Sequence, residues 1–215
     1  MAQFVNLNPS SLRELHVGNE RLVSYNVEMT EVTGGTFWKA YTPAQIAGTE
    51  PFVLKGGFLG NATASTDLMQ YYDPIDLSDK KLRKLAKEIG PAWVRVSGTW
   101  STKTYYDFDG HTNGVVPEGY NAILTREQWL GVLDFCKDIG AKLLISVADC
   151  EGLHHADEPW NPSQAEQIFA LSKEYGKAID AAEFVNEPNL LAMSGCPKGY
   201  TAEQYVRDQL SLIHI

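Results

Sequence analysis

From residue 78 onward, apolar positions fall into a repeating order of helix, glycine, short apolar strand and loop. Leu82, Leu85 and Ile89 recur at helical spacing behind Ser78, which predicts a helix capped by that serine and stopped by Gly90-Pro91. A strand is predicted over 93–98. Thr125 and Gln128 have the spacing of a capping box and open a helix with Trp129, Leu130, Leu133, Phe135 and Ile139 on its apolar side. Gly140 ends that helix, and 142–149 reads as a buried strand. A third helix is predicted from Ser163 to Tyr175, closing at Gly176, followed by a strand over 181–186 and a fourth helix opening at Thr201. Upstream, 22–29 alternates apolar and polar side chains and predicts the first strand.

Strands that alternate with helices imply right-handed βαβ units and a parallel sheet, an α/β fold. Four such units complete a small doubly wound sheet or make half of a (β/α)₈ TIM barrel. Gly34-Gly35 and Gly56-Gly57 read as loop glycines without the context of a phosphate-binding turn. Polar and aromatic residues gather instead in the loops after strand ends, where barrel enzymes build their sites. The expected architecture is therefore an incomplete barrel of about four βα units over 22–209. Residues 1–21 form a separate segment, a candidate strand of another layer. The terminal string Leu210-Ser211-Leu212-Ile213-His214-Ile215 looks like a translated sequencing-adapter fragment, so 210–215 is expected to be a non-native tail.

Composition narrows the partners. The 215 residues carry a formal net charge of −9, which argues against neutralising phosphates and so against nucleic acid. No apolar run approaches the length of a membrane span, and Met1 to Leu7 lacks signal-peptide character, which leaves localisation open. Cys136, Cys150 and Cys196 have no C-x-x-C spacing and read as buried or incidental thiols. No cofactor or metal is expected.

The decisive motif is Phe184-Val185-Asn186-Glu187-Pro188-Asn189 at the end of the fourth strand. A carboxyl group there points into a barrel mouth. Enclosed beside a second carboxylate, such a group keeps its proton to higher pH and can protonate a departing glycosidic oxygen. An asparagine just before it can donate to the sugar 2-hydroxyl, a contact that strengthens as charge develops at the anomeric carbon. On the second strand, alternation places Arg95, Ser97 and Thr99 on one face and Val94 and Val96 on the other. The valines suit the helix side, so Arg95 points inward and requires a carboxylate, for which Glu183 is a candidate. A purely structural ion pair is the alternative role for Arg95.

The run Val94-Arg95-Val96-Ser97-Gly98-Thr99, followed by Lys103-Thr104-Tyr105, resembles the second strand and following loop of the heparanase-like β-glucuronidases, glycoside hydrolase family seventy-nine. Ser24-Tyr25-Asn26-Val27-Glu28 and 183–189 are similar to the same pattern, and the resemblance covers roughly 20–190. Ser97 departs from it, because the family commonly has glycine there. The resemblance implies a retaining hydrolase of β-linked glycans acting on an oligosaccharide or polysaccharide. In it Glu187 is the general acid/base, Asn186 contacts the 2-hydroxyl, Glu28 binds hydroxyls of the −1 sugar and Thr99 lines that subsite. Arg95 and Glu183 support them. The family's nucleophile is a second glutamate near the seventh strand, to which no position here corresponds, so this chain alone is expected to be inactive. Alternatives are a β-xylosidase, arabinofuranosidase or glucosidase of the same clan, or a glycan-binding barrel without turnover.

Other residues carry weaker expectations. His154-His155 could contact substrate or be ordinary loop histidines, and Asp149 could bond substrate or cap its loop. Trp38, Trp100, Tyr105, Tyr106 and Trp160 are expected in loops after strands, as sugar platforms or as packing for those loops.

Overall fold

The structure, a computed structural model, describes residues 6, 8–51, 69–154, 158–190, 193, 195–213 and 215. Along the chain lie β1 (Ser24–Glu28), α1 (Met29–Thr33), β2 (Gly35–Trp38), α2 (Pro43–Ile46), β3 (Met69–Tyr72), α3 (Lys80–Ile89) and β4 (Trp93–Ser97). They are followed by β5 (Thr104–Asp107), β6 (Ala122–Thr125), α4 (Arg126–Ile139), β7 (Lys142–Ser146), α5 (Ser163–Glu174), β8 (Ala181–Glu183) and α6 (Ala202–Leu212).

β1, β4, β7 and β8 form one four-stranded sheet in that order, and every pairing in it is parallel. These are the four predicted strands, each shorter than the apolar run suggested. Ladder pairing stops where the chain must turn: Met29 already belongs to α1, and Gly98 leaves β4 with φ 97°. Strand alternation divides the sheet into two chemically distinct faces. Val94, Val96, Leu143 and Ile145 are buried together with Trp129, Leu133 and Ile168 of the helices, and this is the core. Arg95, Ser97, Ser146 and Glu183 occupy the other face, where register sets Asn26 beside Arg95, Glu28 beside Ser97, and Ser146 beside Glu183.

The capping box at Thr125 forms as its spacing predicts, and the helix expected to open at Thr201 starts there with a second capping box to Gln204. The cap expected for α3 does not form. Asp79, not Ser78, accepts the Leu82 N–H at 2.7 Å, while the Ser78 hydroxyl turns back onto Asp76. Leu85 and Ile89, expected to face inward, are about half exposed at 49% and 52%, and Ala86 makes the buried contact of that helix.

Six short elements escaped the sequence reading. β2 and β3 pair antiparallel, with Gly35 inside the pair rather than in a loop. β5 and β6 pair in parallel as a second small sheet. α1 and α2 are single turns. Before Arg21 the described residues hold one 3₁₀ turn, Pro9–Ser11, and no strand. Gly56-Gly57 lies outside the described residues. Among the described residues no helix is long and apolar enough to cross a membrane.

Candidate active site

Because the sheet is parallel, the C-terminal ends of its four strands emerge together, and the polar face converges there. Phe184 is the local anchor. It is 1% exposed, packs edge-on against Trp160 at 5.0 Å, and meets Tyr205 at a tilt at 5.8 Å. With Val185 also buried, the next residues project from the rim. Glu187 has φ 50°, a left-handed conformation rare for a side chain of this kind, and Pro188–Leu190 follows as a 3₁₀ turn. The chain thus turns sharply at Glu187 itself.

Arg95 organises the rim. Its guanidinium donates to Asn26 Oδ1 at 2.7 Å, to Asn186 Oδ1 at 2.8 Å, and to the Glu183 carboxylate. The anticipated Arg95–Glu183 pair therefore exists, with Asn26 and Asn186 as further partners. Glu183 also accepts from Ser97 Oγ at 2.9 Å and from the Ser146 hydroxyl. Burial pushes the Glu183 carboxyl upward, but the hydrogen bonds from Ser146, Arg95 and Ser97 outweigh it and hold the group below its ordinary range. Glu183 is thus a fixed anion engaged on its neighbours.

The same fork fixes Asn186. Its carbonyl oxygen faces Arg95, so its amide NH₂ turns to Glu187, with Nδ2 at 3.5 Å from Oε2. Thr99 Oγ1 is also 3.5 Å from Glu187 Oε2. Both are long contacts, and Glu187 is exposed. The enclosure expected around it is not supplied by the described residues, because four strands surround only one side of the group.

Glu28, the last residue of β1, lies over Gly98. A Cβ on Gly98 would fall 1.5 Å from Glu28 Oε2, so the loop after β4 needs glycine at this close approach as well as for its positive φ. Burial raises the Glu28 carboxyl above its ordinary range, and the Glu31 and Glu187 carboxylates push the same way, opposed by Asn26 and Arg95. The rim thus holds two carboxyl groups, Glu28 and Glu187, and the charge of Glu187 disfavours ionisation of Glu28. Lys103 ties the loop after β4 to the chain beyond Glu187 by donating to the Met193 carbonyl at 2.7 Å, and burial pushes its ammonium down.

The structure brings together Glu28, Arg95, Thr99, Glu183, Asn186 and Glu187. Sequence reading missed Asn26, Ser146 and Gly98 as participants. Asn26 was accessible from alternation, standing two residues before Glu28 on the same face. Other expectations resolve differently. His154 and Asp149 are both buried and pair at 2.6 Å, which fixes the loop after β7; His155 lies outside the described residues. Tyr106 and Trp160 are buried at 0% and 2% and cannot stack on a sugar. Trp38 lies in β2 and Tyr105 and Tyr106 in β5, not in loops. Trp100 packs edge-on against Phe37 at 5.1 Å. Trp38 and Phe37, with Thr30, Glu31, Tyr72, Asp73 and Ile75, line a cavity of about 440 Å³ beside α1. No protein-family model matches the chain, and no curated protein matches it.

Proposed function

We propose that these four βα units are the first half of a (β/α)₈ barrel of the retaining glycoside hydrolase clan, with Glu187 as general acid/base. Strand order supports the barrel. A doubly wound sheet reverses its order at a switch point, whereas β1, β4, β7 and β8 lie side by side in chain order. Right-handed crossovers between such strands place successive helices on one face and leave the other to line an interior. That other face carries Arg95, Ser97, Ser146 and Glu183.

One observation carries the catalytic reading: Arg95 grips the Asn186 carbonyl and so turns the amide donor to the side where Glu187 stands. A sugar 2-hydroxyl accepts from that amide while Glu187 protonates the glycosidic oxygen. A second carboxylate, about 5–5.5 Å from the first, attacks the anomeric carbon, and Glu187 then takes a proton from water. That nucleophile belongs to strands beyond these four. Glu28 and Thr99 would hold the −1 sugar, and the resemblance to the heparanase-like enzymes points to β-glucuronides.

The test is hydrolysis of aryl β-glucuronides by the full-length protein. Glu187→Gln is expected to lower kcat about 10²- to 10⁴-fold on a poor leaving group, and far less on a nitrophenolate that departs unaided. Undiminished turnover of the poor leaving group by the variant would overturn the assignment.

A further inference from the structure

The loop that follows β5 gathers three metal-ligating side chains outside the site described above. Asp107, Asp109 and His111 each present one donor atom, and all three atoms lie within 4.8 Å of one another. A spacing of two residues on a chain that turns at Gly110, with φ 76°, brings them to one side. Acidic surface groups often sit this close, and the arrangement becomes informative through Asp107. That residue is 5% exposed, and its Oδ2 is engaged by the Thr112 hydroxyl at 2.5 Å and the Thr112 N–H at 3.3 Å. Its Oδ1 is buried, has no hydrogen-bond partner, and faces His111 Nδ1 at 3.4 Å. A buried carboxylate oxygen without a donor is costly, which calls for a positive charge at this point.

The imidazole is oriented for the same purpose. Its Nε2 lies 3.2 Å from the Tyr105 hydroxyl, and the ring packs edge-on against the Tyr105 ring at 5.8 Å. Nδ1 is hydrogen-bonded to the Asp109 carboxylate and lies 3.4 Å from Asp107 Oδ1, so a cation bound here takes the place of the Nδ1 proton between the two carboxylates. With that proton displaced, three ligand atoms face one point. The ligands of one tetrahedral zinc ion stand about 3.3 Å apart, close to the 3.4 Å between His111 Nδ1 and Asp107 Oδ1; the tighter His111–Asp109 contact opens as the ion replaces the proton it holds. One imidazole nitrogen with two carboxylates suits a first-row divalent ion, and offers too few oxygens for calcium.

We propose that Asp107, Asp109 and His111 form a site for a first-row divalent cation of the zinc class. The ion braces the loop between β5 and β6. Phe108, inside the motif, stacks on Tyr106 at 5.9 Å, and Tyr120 at the far end of the loop meets Tyr105 at 5.1 Å. Clamping 107–111 therefore holds both aromatic contacts.

Titration calorimetry of the 215-residue chain with zinc chloride, repeated with calcium chloride, tests the site. One saturable zinc ion per chain is expected, with affinity at least tenfold weaker in both Asp109→Asn and His111→Gln. These two side chains are exposed, so their replacement leaves the core intact. Thermal melting supplies the second reading: zinc raises the Tm of the parent chain and not that of His111→Gln. No saturable zinc uptake, uptake unchanged in both variants, or binding of calcium in preference to zinc would each overturn the proposal.

Discussion

Replacing Arg95 by methionine removes the centre of the rim network with little change in volume, and its cost can be worked from the contacts. Three hydrogen bonds are lost, to Asn26, Asn186 and Glu183, and the Glu183 carboxylate keeps only the Ser97 and Ser146 hydroxyls. Removing one partner of a fully buried ion pair costs about 3–5 kcal/mol. Here the Arg95 and Glu183 side chains are 31% and 35% exposed, so water reaches the orphaned carboxylate and the expected loss falls to about 2 kcal/mol. With a urea dependence near 2 kcal/mol per molar, the unfolding midpoint drops by about 1 M. Tryptophan fluorescence at pH 7 reads it, and Arg95→Lys, which keeps the charge and loses the fork, falls between.

The pH dependence has a definite sign. The Glu183 carboxyl is held below its unfolded value, so its contribution is complete above the unfolded pKa, about 4.3, and disappears as pH falls through the folded one. The difference between parent and variant should therefore be constant from neutral pH down to about pH 5 and shrink in more acid solution. A midpoint shift under about 0.3 M at pH 7, or a difference that grows as pH falls, would refute the network as described.

Two further outcomes follow from the same geometry. Gly98→Ala sets a Cβ against the Glu28 carboxylate and forces a side chain into φ 97°, so a stability loss of about 1–3 kcal/mol is expected by urea unfolding; an unchanged midpoint would mean the loop relaxes freely. All three cysteines are free and buried, with burial pushing Cys136 and Cys150 up to about 12, so a chromogenic disulfide reagent at pH 8 should label them only after urea is added. Rapid labelling of the native chain would contradict their burial.

Much of this molecule is legible in one dimension. The alternation Val94-Arg95-Val96-Ser97 and the apolar run 142–149 specify which strand faces meet helices, because a two-residue period leaves no other way to bury those valines and leucines. Thr125-Gln128 and Thr201-Gln204 specify helix starts, since the reciprocal hydrogen bonds are local. What the sequence could not determine depends on distant partners. Whether Asp79 or Ser78 caps α3 turns on the Asp76 turn that captures the serine. The β2–β3 and β5–β6 pairs are four residues a strand, too short for periodicity to register, and exist through each other's backbone groups. Tyr106 and Trp160 look like any exposed aromatic until tertiary packing buries them. The rim itself, with Asn26, Gly98 and Ser146 drawn to Arg95, Glu28 and Glu183, is decided only by strand register, which places residues up to 91 positions apart within hydrogen-bonding distance.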